Sequence, residues 1–225
     1  MDLNKSCFLL LSKAKNEYIE ELSAIFKPNS FIIYDTDYSD DLLKQKGFIG
    51  LTGGIKQPSA WDKSFYFISQ ITDVTNYSYF YFIEDDVFSK KIHNIKLLAY
   101  YLDSNYNSYD LIAHYIQNKS ESTNWPWWDK IDVNLKNQYR SFNPFCRLSK
   151  KLVNSILDYR NNNNRFIFHE ILFASLCGDH QYSTVSLDSN KEYNKFIGSI
   201  KARPILDKIF IDDEKIYHPV KPIYE

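Results

Sequence analysis

Glycine and cysteine are scarce in this 225-residue chain, and arginine is scarce beside lysine. Four of the six glycines, Gly47, Gly50, Gly53 and Gly54, crowd into one stretch, and they spell neither GxGxxG nor GxxxxGK[ST]. That excludes a dinucleotide fingerprint and a P-loop, and predicts a loop or irregular strand over 48–55. The three cysteines, Cys7, Cys146 and Cys177, lie far apart with no CxxC pair. A disulfide scaffold and a structural zinc site are therefore excluded, and a reducing compartment is expected. No apolar run approaches the ~20 residues that cross a bilayer, and the early run at 7–11 is also too short for a signal-peptide core. Neither sign of charge prevails, with 27 Lys and Arg against 28 Asp and Glu. A net charge of -1 supplies no global field for nucleic acid or an anionic membrane. The expectation is a cytoplasmic protein with no membrane span and no nucleic-acid partner.

What the chain does have is apolar and aromatic mass. Hydrophobic residues are 44% and aromatic residues 17%, enough for one well-filled core. A buried strand at 7–11 is followed by helical spacing of Tyr18, Ile19, Leu22, Ile25 and Phe26, which stops before Pro28. A second apolar strand at 31–34 runs into the acidic loop DTDYSDD. Strand, helix, strand of this kind is a βαβ unit of a parallel sheet, and ligands bind beyond the carboxyl ends of such strands. Asp35 and Asp37 stand at that position. The alternation continues: a helix opened by Pro58 and carrying Trp61, Phe65 and Ile68, the apolar strand 79–83, a helix at about 92–102, and a strand at 111–115. Beyond it lie a polar loop from Gln117, a strand near 143–148, a helix capped by Ser149, a turn at 161–164 and a buried helix at 168–176. The prolines of the tail preclude a regular helix there. The fold class predicted is α/β, with a mostly parallel central sheet flanked by helices, in a single domain. Its nucleotide-binding half would be about 1–115, and about 116–225 would hold the acceptor-binding half and a metal-binding tail.

Four features carry chemistry. Glu84, Asp85 and Asp86 follow directly on the most apolar strand, where adjacent like charges repel unless a cation neutralises them. Carboxylate ligation suits Mg²⁺ or Mn²⁺, and the alternative is a solvated turn. His218 and Lys221 lie in the extended sequence HPVK, an imidazole for a metal and an ammonium for a phosphate, or else ordinary surface residues. His169 and Glu170 open an apolar helix, where Glu170 is either a general base or a first-turn acid favoured by the helix dipole. Trp125, Trp127 and Trp128 flank Pro126 on a long loop, as a platform for a flat ligand or as a plug holding the loop down.

Taken together, the βαβ opening, the acidic loop, AWDK at 60–63, YFYFIEDDV, the HE-bearing helix and terminal HPVK resemble the small GT-A-type (Rossmann-type) glycosyltransferases encoded by large DNA viruses. The EDDV element is similar to that of lipopolysaccharide and collagen sugar transferases. The resemblance implies a nucleotide-sugar donor, UDP-sugar foremost, a glycan or glycoprotein acceptor, and Mn²⁺ or Mg²⁺ on a DXD-type motif; for a viral chain the compartment is the host cytoplasm. By motif position Asp86 and His218 would hold the metal. Asp35, Lys63, Glu84, Asp85 and Lys221 would meet the nucleotide and its phosphates. Glu170 would be the catalytic base if the anomeric configuration inverts and would only orient the acceptor if it is retained, and Trp127, Trp128 and His169 would contact the acceptor. The first acid is Glu where the motif has Asp, which leaves the division of labour among the three open. The alternatives are a catalytically silent nucleotide- or glycan-binding protein of the same fold and a metal-dependent nucleotidyltransferase. Against the latter, SKAKNE after the first strand lacks the expected glycines.

Overall fold

The computed structural model describes residues 3–48, 59–71, 76–130, 135–202 and 211–220. The first strand, β1 (Ser6–Ser12), is buried along its whole length. Helix α1 (Glu17–Phe26) begins where the Asn16 side chain accepts the Ile19 N–H at 2.9 Å, and it buries Ile19, Leu22 and Phe26. Strand β2 (Ser30–Tyr34) then returns parallel to β1. The acidic loop expected next contains a short helix, α2 (Asp40–Gln45), capped by Ser39. Acids in a first turn favour the positive end of a helix, so DD after a serine is start chemistry as much as loop chemistry.

Helix α3 (Ala60–Gln70) opens on a capping box, in which the Ser59 N–H donates to the Asp62 carboxylate at 2.8 Å. Pro58, expected to start it, lies outside the described residues, as does most of the glycine-rich stretch. Strand β3 (Tyr79–Glu84) pairs parallel with β1, and α4 (His93–Asn105) follows. The strand expected over 111–115 is two: β4 (Leu111–Ala113) stays in the main sheet, and β5 (Tyr115–Asn118) leaves it at His114. β5 pairs antiparallel with β6 (Tyr139–Phe142) in a separate two-stranded sheet. Strand β7 (Phe145–Ser149) leads into α5 (Lys150–Asn163), where Ser149 accepts the Leu152 N–H as expected. The turn read at 161–164 is instead the last turn of α5, closed by Asn164 in a left-handed conformation. Helix α6 (His169–His180), β8 (Thr184–Ser186), β9 (Ile197–Ile200) and β10 (Ile216–His218) complete the described chain.

The central sheet has the order β2-β1-β3-β7-β4-β8. It is parallel except for β7, which is antiparallel to both neighbours, so the α/β class with a mostly parallel sheet holds. Alternation along the strands builds a core on each face. Leu9, Leu11, Phe80 and Phe82 meet α3, α5 and α6, whereas Phe8, Leu10, Tyr81 and Ile83 meet α1 and α4. Inside β7, fully buried Arg147 is paired with Asp103 at 2.7 Å. Because β7 runs backwards, its amino end joins the carboxyl ends of β1, β2 and β3 at one edge: the Pro144 carbonyl accepts the Glu84 N–H at 2.9 Å. Among the described residues, no helix is long and apolar enough to cross a membrane.

Candidate active site

Glu84 is the last residue of β3, and of the two acids that follow, Asp85 turns toward β1 while Asp86 joins Glu84 beside His218. Asp85 is buried and faces β1: its carboxylate accepts from Ser12 Oγ at 2.5 Å and from the Lys13 N–H at 3.3 Å. Burial pushes its pKa up to about 6, with Asp86 and Glu84 adding repulsion. Glu84 accepts a hydrogen bond from Trp61 Nε1 at 2.8 Å, which aims its other oxygen outward. That oxygen lies 3.3 Å from His218 Nε2, and Asp86 Oδ1 lies 3.1 Å from the same nitrogen.

His218 is delivered by the tail, and backbone bonds fix it there. Phe88 and Tyr217 exchange two N–H···O bonds, and the Val220 N–H donates to the Asp86 carbonyl at 2.9 Å. The His218 Nδ1 is 2.9 Å from the Lys201 carbonyl, an acceptor only, so Nδ1 carries the proton in a neutral ring. Its bare Nε2 then confronts two carboxylates, which is repulsive until a proton or a cation stands between them. Burial opposes a charged imidazole here, but the contacts and attraction of Asp86 and Glu84 outweigh it and lift its pKa to about 9. Burial likewise opposes ionised Glu84, and the His218 and Trp61 contacts win, leaving it below its ordinary value.

This arrangement fits a divalent cation. One ligand atom from each of Glu84, Asp86 and His218 lies within 4.8 Å of the others. Asp86 Oδ1 is buried without a hydrogen bond of good geometry. A carbonyl holding the far nitrogen is the usual support of a metal-binding imidazole. Two carboxylates and one imidazole suit Mn²⁺ or Mg²⁺ better than a thiolate-seeking ion.

Two cavities open on either side and share Glu84 and Asp86. The smaller, about 190 Å³, is lined by Ser12, Lys13, Asp35, Ser59 and Trp61 together with all three acids. Asp35 accepts the Ala60 N–H at 2.6 Å through one oxygen, and burial raises its pKa. The larger, about 670 Å³, is walled by Tyr115, Trp125, Trp127, Phe142 and Phe168, with Glu170 and His218. Burial pushes the Glu170 carboxyl up to about 8, and Glu84 adds to it.

The structure thus brings together Asp35, Glu84, Asp85, Asp86, Glu170, His218 and Trp127. Lys221 lies outside the described residues. Three expected residues are turned elsewhere. Lys63 is 1% exposed and donates to the Asp35 carbonyl, with Asp40 at 3.8 Å, so its charge ties β2 to α3 and faces neither cavity. His169 stacks on Trp61 at 4.1 Å and 11°, where burial lowers its pKa to about 4. Trp128 is 7% exposed and donates to the Ser122 carbonyl at 2.7 Å, plugging its loop. Sequence reasoning passed over Lys13, although it stands at the carboxyl end of β1 where the parallel-sheet rule looks for ligands. Trp61 as the holder of Glu84 left no sequence signal. In comparisons with known proteins, the chain matches no family model and no curated protein.

Proposed function

We propose that the chain is a metal-dependent glycosyltransferase that moves a sugar from a nucleotide-diphosphate sugar, UDP-sugar foremost, to a hydroxyl of a glycan or glycoprotein. The observation that carries this reading is that His218 of the tail meets Glu84 and Asp86 at the wall shared by two cavities. A donor in the smaller cavity and an acceptor in the larger would meet at that wall.

Glu84, Asp86 and His218 would hold Mn²⁺ or Mg²⁺, which when bound supplies positive charge to a diphosphate leaving group. The chain does the rest. In the smaller cavity Asp35 accepts a hydrogen bond from the base or ribose, and Lys13 offers a cation at the β1 end. Transfer breaks the bond from the anomeric carbon to the diphosphate oxygen, which keeps the electron pair, and forms a bond to the acceptor oxygen. The acceptor proton goes to the Glu170 carboxylate, which must first be ionised. A unit charge pair at 4 Å is worth about 4 kcal/mol in a site of effective dielectric 20 and about 1 kcal/mol in water, so enclosure matters as much as charge.

The test is a thermal-shift and donor-hydrolysis screen of UDP-, GDP- and ADP-sugars with and without Mn²⁺, in the native chain and in Asp86→Ala. A Mn²⁺-dependent rise in melting temperature with one nucleotide class, lost in Asp86→Ala, is expected. Equal response in the variant, or none in the native chain, refutes the proposal.

A further inference from the structure

The larger cavity is specific in what it offers. Its aromatic walls come from separate segments. Tyr115 of β5 and Phe142 of β6 stack at 5.3 Å and 20°. Trp125 stacks with Phe168 at 5.9 Å and 18°, and Trp127 meets Phe168 edge-on at 6.2 Å. Arg140 joins the two groups, its guanidinium 4.9 Å from the Tyr115 ring and 5.2 Å from the Trp125 ring. Gln117 Oε1 accepts from Arg140 Nε at 3.0 Å and Nη2 at 2.5 Å, holding it in that sandwich. Phe142 also lies edge-on to His218 at 5.4 Å, which places this aromatic wall against the Glu84, Asp86 and His218 cluster.

The polar lining is acceptor-rich. Glu84, Asp86 and Glu170 face the cavity, and among the described residues no Lys or Arg lines it. An anionic acceptor would find no Lys or Arg among these lining residues to pair with, and an alkyl chain would desolvate the carboxyl groups without repayment in hydrogen bonds. Hydroxyls donate to them, while the C–H faces of sugar rings lie on aromatic planes. A cavity of about 670 Å³ exceeds what one sugar ring fills.

We infer that the acceptor is the end of a neutral oligosaccharide of two or more rings, an inference that rests on the transferase reading of this site. Trp127, which meets Phe168 only edge-on, supplies the stacking surface, and Tyr115 and Trp125, already stacked on Phe142 and Phe168 and bridged by Arg140, form the wall behind it.

The experiment titrates the full chain, without nucleotide, with neutral trisaccharides of glucose, galactose, mannose and N-acetylglucosamine, with the matching monosaccharides, and with trigalacturonate. Tryptophan fluorescence and calorimetry report binding. At least one neutral trisaccharide should bind about tenfold tighter than its monosaccharide, and trigalacturonate should not compete. Trp127→Ala and, independently should that variant fail to fold, Tyr115→Ala should each weaken binding about tenfold with native-like melting. Binding of no neutral trisaccharide, equal binding of the monosaccharide, or tighter binding of trigalacturonate overturns the inference. A parallel titration with UDP-sugars and Mn²⁺ separates the two readings. Glycan binding without any nucleotide response ends the transferase reading and leaves a glycan site; a nucleotide response without glycan binding overturns the acceptor class alone.

Discussion

Trp61→Phe is a sharp test of whether Glu84 acts as a metal ligand. The indole is 7% exposed and stacked on Phe82 at 5.2 Å and 15°, as well as on His169. Phenylalanine keeps an aromatic ring in that stack and deletes one atom group that matters, the N–H held at 2.8 Å by Glu84 Oε1. A hydrogen bond to a charged group contributes about 1.5–3 kcal/mol, and losing the partner that orients a ligating carboxylate costs roughly 10- to 100-fold in metal affinity. The stability cost should stay below the ~3–5 kcal/mol of a Trp→Ala change, because most of the ring volume remains. Calorimetric titration of Mn²⁺ into the native chain and the variant at one pH, beside urea unfolding of both, separates the two effects. The expected result is a variant that unfolds cooperatively and binds Mn²⁺ at least about tenfold more weakly. Unchanged Mn²⁺ affinity in a folded variant would refute the claim that this indole positions a metal ligand. Absence of Mn²⁺ binding to the native chain would refute the metal site itself.

Three other outcomes follow from particular contacts. Burial pushes the Glu170 carboxyl up to about 8 in the folded chain from an ordinary value of 4.5, so the stability it confers is complete below 4.5 and is lost as pH rises through about 8. Glu170→Gln should flatten that decline in urea midpoints, and in the native chain turnover should climb toward pH 8 as the base ionises, a limb missing from a pH–rate profile if Glu170 only orients the acceptor. At Gly198 a methyl group would fall inside the Tyr217 ring, the neighbour of His218, so Gly198→Ala should lower Mn²⁺ affinity more than it lowers the melting temperature; a native Mn²⁺ isotherm would show the tail does not depend on that packing. Asp103→Ala strands the fully buried Arg147 and deprives the Tyr81 hydroxyl of its 2.6 Å partner, so unfolding free energy should fall by about 3–5 kcal/mol, and a loss under 1 kcal/mol by urea titration would contradict the pairing.

The parts of this fold that were legible in the sequence are those where one local cause dominates. An apolar run ending in EDD had to be a buried strand reaching an edge, because three carboxylates cannot follow the run into the core, and β3 stops at Glu84. Ser149 caps its helix as its neighbours require. What was hidden depends on distant partners. Lys63 looks like a phosphate hook until the Asp35 carbonyl and Asp40 are seen to surround it. The split between β4 and β5 depends on four residues of β6, too short a stretch for its alternation to declare itself. Within one loop, Trp127 and Trp128 are adjacent in sequence, yet one faces a cavity and the other donates inward to Ser122. The proximity of His218 to Glu84 spans most of the chain and follows from backbone bonds between Phe88 and Tyr217. No periodicity encodes such a contact, so the residues that assemble the site are legible one by one as chemistry, while their assembly is a property of the sheet edge. That is why Glu84 and Asp86 belong to both cavities, and why a single substitution behind Glu84, at Trp61, should be felt by a ligand in either one.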